Sequence, residues 1–167
     1  RPFVTLHHFT HPQWFEEEGA FLGRVAPERF GLFAEHVVSE LGDLCSDWLT
    51  FNEPNVYAAF GYLFGEFPPG HRYRVRECAA AMASIHRAHA IAYERIHRIQ
   101  PNANIGIATN WVEFKPATDA GADRLLAFLY DAAFNRSTLN LLRCGSLPFP
   151  FGTLTQDVPE ALGKIDF

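Results

Sequence analysis

The chain has 167 residues, of which 48% are hydrophobic and 14% aromatic, with 16 Phe and a formal net charge of −5. That is enough apolar material for one ordinary domain with a sizeable core, and too much for a disordered chain. The acidic balance excludes a general nucleic-acid footprint, and no apolar run approaches the ~20 residues that span a bilayer. Cys45, Cys78 and Cys144 are widely spaced and odd in number, so neither a disulfide framework nor a zinc ribbon is suggested, and a cytoplasmic location is the default expectation. The chain opens on Arg1-Pro2 without a signal-peptide pattern, and the opening reads as a cut or processed end.

In chain order, PFVTL (Pro2 to Leu6) reads as a short buried strand and HHFTHPQW as a loop. PERFGLFAEHVVSELG reads as a helix: Pro27 suits its first turn, Glu28 favours the positive end of the dipole, and Gly42 suits the stop. Phe30, Phe33, Val37, Val38 and Leu41 recur along it at helical spacing as one apolar stripe. DWLTFN is the next strand, and GYLFGEFPPG a loop broken by Gly and Pro. A long Ala-rich helix is expected from Val75 to Ile99, with an apolar face through Met82, Ile85, Ile96 and Ile99 and Pro101 beyond its end. NIGIATNW is a third strand, Ala120 to Leu142 another helix, and the tail from Leu147 a loop with a short helical turn.

Strand, loop and helix therefore alternate, with crossovers long enough for parallel pairing, and each strand is the near-continuous apolar run expected of a sheet covered on both faces. In such a sheet the polar residues at the C-terminal strand ends carry function. Three pairs lie there: His7-His8, Asn52-Glu53 and Asn110-Trp111. Glu53 is the sharpest of these, because Pro54 stops the strand directly behind it and leaves its carboxyl at an open end.

These residues resemble glycoside hydrolase family 1, the β-glucosidase and β-galactosidase family with a (β/α)8 TIM barrel. VTLHHFTHPQW is similar to the segment around the family's third strand, TFNEPN to its acid/base motif after the fourth, and NIGIATNW to the fifth-strand region. NRSTLNLLRCG resembles the helix that follows, and GKIDF the start of the sixth strand. The resemblance implies that residues 1–167 are the central part of one catalytic barrel, about strands three to five and the start of six. The family's nucleophile, a Glu in a Thr-Glu-Asn-Gly segment, has no counterpart here. A complete barrel needs on the order of 250 residues.

A retaining glycosidase sets two carboxyls ~5–5.5 Å apart on either side of the anomeric carbon; one attacks, and the other protonates the leaving oxygen and then activates water. By resemblance Glu53 is the acid/base, and Asn52 bonds the sugar 2-hydroxyl. Strict alternation would send neighbours 52 and 53 to opposite faces, so both serve only if the strand end is irregular. The competing reading of Asn52 is an Asx-turn amide. Of the adjacent His7 and His8, at most one should enter the site; the family pattern selects His8, with His7 packed outward and His11 in the loop. A metal cluster is the rival reading, but no Asp or Glu falls at ligand spacing, so no metal and no cofactor is expected. Asn110 would orient the catalytic region, and Trp111 offers a face for sugar stacking, as Trp14, Phe64 and Phe67 do less directly. His86 and His89, three apart on a helix, could form half a metal site, but with no further ligand obvious they read as ordinary helix residues. The acidic run Glu16 to Glu18 reads as a solvated loop.

The expectation is thus a β-glycoside hydrolase acting on β-glucosides or related sugars, with the isolated chain inactive and the remaining barrel present as further residues or partner chains. The rival class is a non-catalytic carbohydrate-binding or interaction module derived from the barrel, and a third reading is a truncated piece with no function of its own. The motifs are shared by enzymes acting on glucose, galactose, fucose and 6-phospho sugars, so they assign the bond and not the sugar.

Overall fold

The computed structural model describes residues 2–167. Three strands, β1 (Phe3–His7), β2 (Asp47–Asn52) and β3 (Asn104–Ala108), form one parallel sheet in the order β1-β2-β3. Phe3 lies opposite Asp47 and His7 opposite Phe51, while Asp47 lies opposite Asn104 and Asn52 opposite Ala108. Between β1 and β2 come α1 (Gln13–Glu17) and α2 (Ala26–Leu41); between β2 and β3 come α3 (Pro54–Ala59), a π turn (Phe60–Phe64) and α4 (Val75–Ile99). After β3 follow α5 (Gly121–Tyr130), a second π turn (Asp131–Asn135), α6 (Arg136–Cys144), and 3₁₀ turns at Phe151–Leu154 and Pro159–Ala161. The parallel order makes all three C-terminal strand ends face one way, as the apolar runs and long crossovers require.

The core lies between the sheet and the helices. Trp48 and Phe51 of β2, Ile105 of β3, Phe30 and Val38 of α2, and Ile85 and Ile96 of α4 are all buried in it. The Phe30 and Phe51 rings stack at 4.3 Å. Gln100, directly after α4, receives Trp48 Nε1–H at 2.8 Å and donates to the carbonyls of Gly42 and Cys45 at 2.8 and 2.9 Å. One amide thus satisfies an indole buried in the sheet and two carbonyls of the loop that leads into it.

Five expectations need adjustment. On α2, Phe30 and Val38 are buried but Phe33 and Leu41 are exposed. The face turned to α4 runs instead through Gly31 and Ala34, because the two helices approach so closely that a Cβ at Gly31 would lie 2.4 Å from Ile91 Cγ2. Ile99 likewise is exposed at the end of α4. The stretch from Phe60 to Phe64 is helical, and the loop begins only at Gly65 with φ 71°. The helix expected over 120–142 is interrupted by the π turn at 131–135 and continues to Cys144. The closing Lys164 to Phe167 forms no strand; it lies along β3, with Asp166 N–H donating to Ile105 O and Ile105 N–H to Asp166 Oδ2, both at 2.9 Å. Among the described residues no helix is long and apolar enough to cross a membrane.

Candidate active site

Glu53 occupies the step from β2 into α3. Its N–H makes one further ladder bond to Ala108 O at 2.7 Å, and its backbone then turns to φ 44°, ψ 62° before Pro54 opens the helix. A non-glycine residue in this left-handed region is strained by about 1–3 kcal/mol, and such residues persist where the surroundings over-determine them, often at functional sites. Strict alternation is also relaxed at this strand end. The β2–β3 register shifts between Leu49 and Asn52, so side-chain directions at the end of β2 no longer follow simple two-residue alternation. The shift already shows at the preceding pair: Thr50 bonds His89 of α4 while its neighbour Phe51 stacks on Phe30 of α2.

Asn52 and Glu53 are both half-buried. Asn110, two residues beyond β3 and also half-buried, donates from Nδ2 to Glu53 Oε1 at 3.0 Å. The C-terminal ends of β2 and β3 are therefore joined by the side chains singled out in the sequence. His8 follows His7, which lies opposite Phe51, so it stands at the same sheet edge as Asn52. It is exposed, with its ring 4.9 Å from Phe9, a residue held at φ 67°. Phe9 in turn lies 5.2 Å from Phe67, placing that aromatic loop beside His8. Trp111 is 61% exposed next to Asn110. Trp14 is drawn elsewhere: the Arg29 guanidinium lies 5.4 Å from its ring, and both line a largely apolar cavity of about 150 Å³ with Phe30 and Phe33.

His7 is buried among Phe21, Phe51 and Tyr57. Burial, reinforced by His11 and His8, pushes its imidazole down to about 3, so it is neutral. Its Nε2 is 3.4 Å from His11 Nδ1, and His11 Nε2 is 2.6 Å from Glu16 Oε2. The acidic run is solvated at Glu17 and Glu18, both exposed, but it is largely helical rather than a loop. Glu16 and Glu17 belong to α1, Glu16 partners His11, and Glu18 pairs with Arg29. The carboxylate partner of the histidine cluster lay five residues downstream of His11, outside the spacing of a ligand motif. Among the described residues no group of three or more His, Cys, Asp or Glu side chains is arranged to hold a metal ion.

His86 and His89 lie on α4 and are fully buried. His86 Nδ1 donates to Met82 O at 2.8 Å. His89 Nε2 donates to Lys164 O, which leaves Nδ1 to accept from Thr50 Oγ1 at 2.7 Å. Burial lowers His86 to about 3 and His89 to about 4. Sequence reasoning also passed over Asn55 and Asn135, two buried amides that grip the backbone around Asn110. Their signal was faint: an amide one step after Glu53-Pro54, and another inside a helical stretch.

Comparison with known proteins bears on this geometry. The family model described as Glycosyl hydrolase family 1 matches residues 1–157. A 6-phospho-beta-galactosidase of Clostridium acetobutylicum is 34% identical over 147 residues, which are 88% of this chain and 31% of that protein. Beta-glucosidase A of Thermotoga maritima is 31% identical over 179 residues, 99% of this chain and 39% of that protein. Among solved structures, a psychrophilic beta-glucosidase from Micrococcus antarcticus superposes with a TM-score of 0.84 at 34% identity, covering 96% of this chain and 34% of that one. The chain spans about a third of the length of the curated relatives it matches.

Proposed function

Because this chain belongs to glycosyl hydrolase family 1, we propose that it carries the acid/base half of a retaining β-glycosidase. Residues 1–167 form the central part of one catalytic (β/α)8 barrel, about strands three to five and the approach to six. Glu53 protonates the leaving oxygen and then activates water; the nucleophile comes from chain outside these residues. The substrate is a β-linked glycoside, in keeping with the β-glucosidases and 6-phospho-β-galactosidases among the relatives.

The observation that carries this reading is the placement of Glu53: strained backbone at a strand end, with Asn110 bonded to Oε1. A bond that occupies one oxygen leaves Oε2 for proton traffic and fixes the direction in which it is presented. Asn52, beside it, binds the sugar 2-hydroxyl, a contact that strengthens as the oxocarbenium-like transition state forms. His8 bonds a sugar hydroxyl from the neighbouring strand end, and exposed Trp111 offers a stacking face toward the leaving group.

The test is Glu53→Gln in the complete enzyme. General acid catalysis contributes ~10²–10⁴-fold, so poor leaving groups should lose rate over that range. Activated aryl glycosides need little proton donation and should lose far less in glycosyl-enzyme formation. Azide should partly restore their turnover by replacing the water that Glu53 would activate. Equal losses for both substrate types, with no azide response, would remove Glu53 from the acid/base role.

A further inference from the structure

Residues 109–116 form neither helix nor strand, yet this segment carries Asn110 to Glu53. Two buried amides hold it, one at residue 110 and one at residue 112. Asn55, in the first turn of α3 and 3% exposed, donates from Nδ2 to Asn110 O at 3.0 Å and to Phe134 O at 3.1 Å. Asn135, 1% exposed, grips Val112 with both ends of its amide: Val112 N–H donates to Oδ1 at 3.0 Å, and Nδ2 donates to Val112 O at 2.6 Å. The same Nδ2 reaches Asp131 Oδ1 at 2.8 Å, and Asp131 Oδ2 accepts from Arg136 Nε at 2.5 Å. Asp131 and Asn135 are the first and last residues of the second π turn. Single wide turns of this kind occur within α-helices frequently at functional sites.

A β-ladder would fix the backbone of such a segment through its own N–H and C=O groups. Beyond Ala108 that ladder has ended, and the amides of Asn55 and Asn135 take its place at residues 110 and 112. Burying an amide is unfavourable unless its bonds are made. Asn135 bonds through both ends, while Asn55 donates both N–H groups to main-chain carbonyls and leaves its buried Oδ1 unpartnered among the described residues. With its backbone bonded at residues 110 and 112, Asn110 has its side chain aimed at Glu53 before any ligand arrives.

We propose that Asn55 and Asn135 are positioning residues for Glu53, acting through Asn110. Asn55 ties the loop to the helix that Glu53 itself begins, so donor and acceptor are set in one frame. Asn135 fixes Val112, two residues further along the segment, and the π turn sets the direction from which its amide reaches in. The catalytic meaning of this arrangement rests on the acid/base reading of Glu53.

The experiment reads the contact itself. In the complete enzyme at pH 7, with asparagine side chains isotopically labelled, Glu53→Gln should shift the side-chain NH₂ resonances of Asn110, identified by their loss in Asn110→Ser. In the Asn55→Ala and Asn135→Ala backgrounds the same Glu53→Gln change should produce less than half of that shift, while backbone amides of β1 to β3 stay in place. A full shift in both backgrounds would overturn the proposal, as would the absence of any shift in the unsubstituted chain. If one background fails to fold, the other decides by the same criterion; if both fail, the two amides are structural and the positioning role is wrong. None of these readouts needs turnover. A complete enzyme indifferent to Glu53→Gln would end the acid/base reading and leave this coupling standing.

Discussion

Asn110 donates to Oε1 of Glu53 across 3.0 Å, joining the residue that turns β2 into α3 to a residue two positions beyond β3. The bond ties two neighbouring strand ends together at the point where the ladder between them stops. It also makes the direction of a carboxyl depend on a loop.

The first expectation concerns that bond. Hydrogen bonds to charged groups contribute roughly 1.5–3 kcal/mol, which converts to about 10–100-fold in rate if all of it is felt in the transition state. Asn110→Ala in the complete enzyme should therefore lower kcat/KM by that factor for poor leaving groups, and by less for activated aryl glycosides. Steady-state kinetics on the two substrate types checks it. A change of less than twofold on both would mean that the contact is not felt during the reaction.

The second concerns acid. His7, His86 and His89 are neutral in the folded chain, lowered by burial to about 3, about 3 and about 4. Unfolded, each takes up its proton near pH 6.5, so between pH 6.5 and about 4 the unfolded state binds more protons. Stability is then complete above pH 6.5 and falls as pH drops, by about 2 kcal/mol per histidine at pH 5 and roughly 4–6 kcal/mol together. The lowered carboxylates, Glu94 bonded to Lys164 and Asp131 bonded to Asn135, act only below the ordinary carboxylate range. Urea midpoints should drop clearly from pH 7 to pH 5, and His7→Phe, set among Phe21, Phe51 and Tyr57, should remove about a third of the drop. A midpoint flat across this interval would mean that these imidazoles are not buried neutral.

Much of this fold was legible because its elements announce themselves locally. DWLTFN and the 25-residue Ala-rich helix were readable to the residue, since their apolar spacing ends on clear stops at Pro54 and Pro101. What could not be read depends on contacts between distant segments. The burial of His86 and His89 follows from where Thr50 and Lys164 lie, and the exposure of Phe33 follows from the close approach at Gly31. Glu53 and Asn110 could be named as strand-end residues, but that one would donate to the other could not. That contact requires the left-handed turn at Glu53 and the grip of Asn55 and Asn135 on the loop.

The third expectation tests a link between sheet and loop. Gln100→Ala would leave the indole N–H of fully buried Trp48 and the carbonyls of Gly42 and Cys45 without this partner. An unmet buried polar group costs ~1–3 kcal/mol, and water can recover part of that at the half-buried end. Chemical denaturation should show a loss within that range, with Gln100→Glu recovering only the Trp48 bond and so falling between. A loss below about 0.5 kcal/mol would show that the Gln100 bonds are readily replaced by water.

The last expectation concerns the chain by itself. Among the described residues β1 pairs only with β2, so its outer edge is unpaired, and Phe3 on it is 61% exposed. Leu32, Phe33, Leu41 and Leu44 lie exposed on and just after α2, while α5 buries none of its residues and exposes Leu125, Leu126, Phe128 and Tyr130. Open strand edges and contiguous apolar surface favour pairing with other chains, so the 167-residue protein should associate as its concentration rises, which sedimentation velocity would detect. Its chemistry should be incomplete as well. Retaining hydrolysis needs a second carboxyl ~5–5.5 Å from Glu53, and no Thr-Glu-Asn-Gly segment occurs in this sequence to provide it. The purified chain should therefore release no product from an activated aryl β-glucoside, and activity should appear only when the remaining barrel segments are added, covalently or as partner chains. The control is Glu53→Gln, which separates genuine turnover from a contaminating glycosidase. Turnover by the chain alone, abolished by that substitution, would show that these three strands already hold everything the reaction requires.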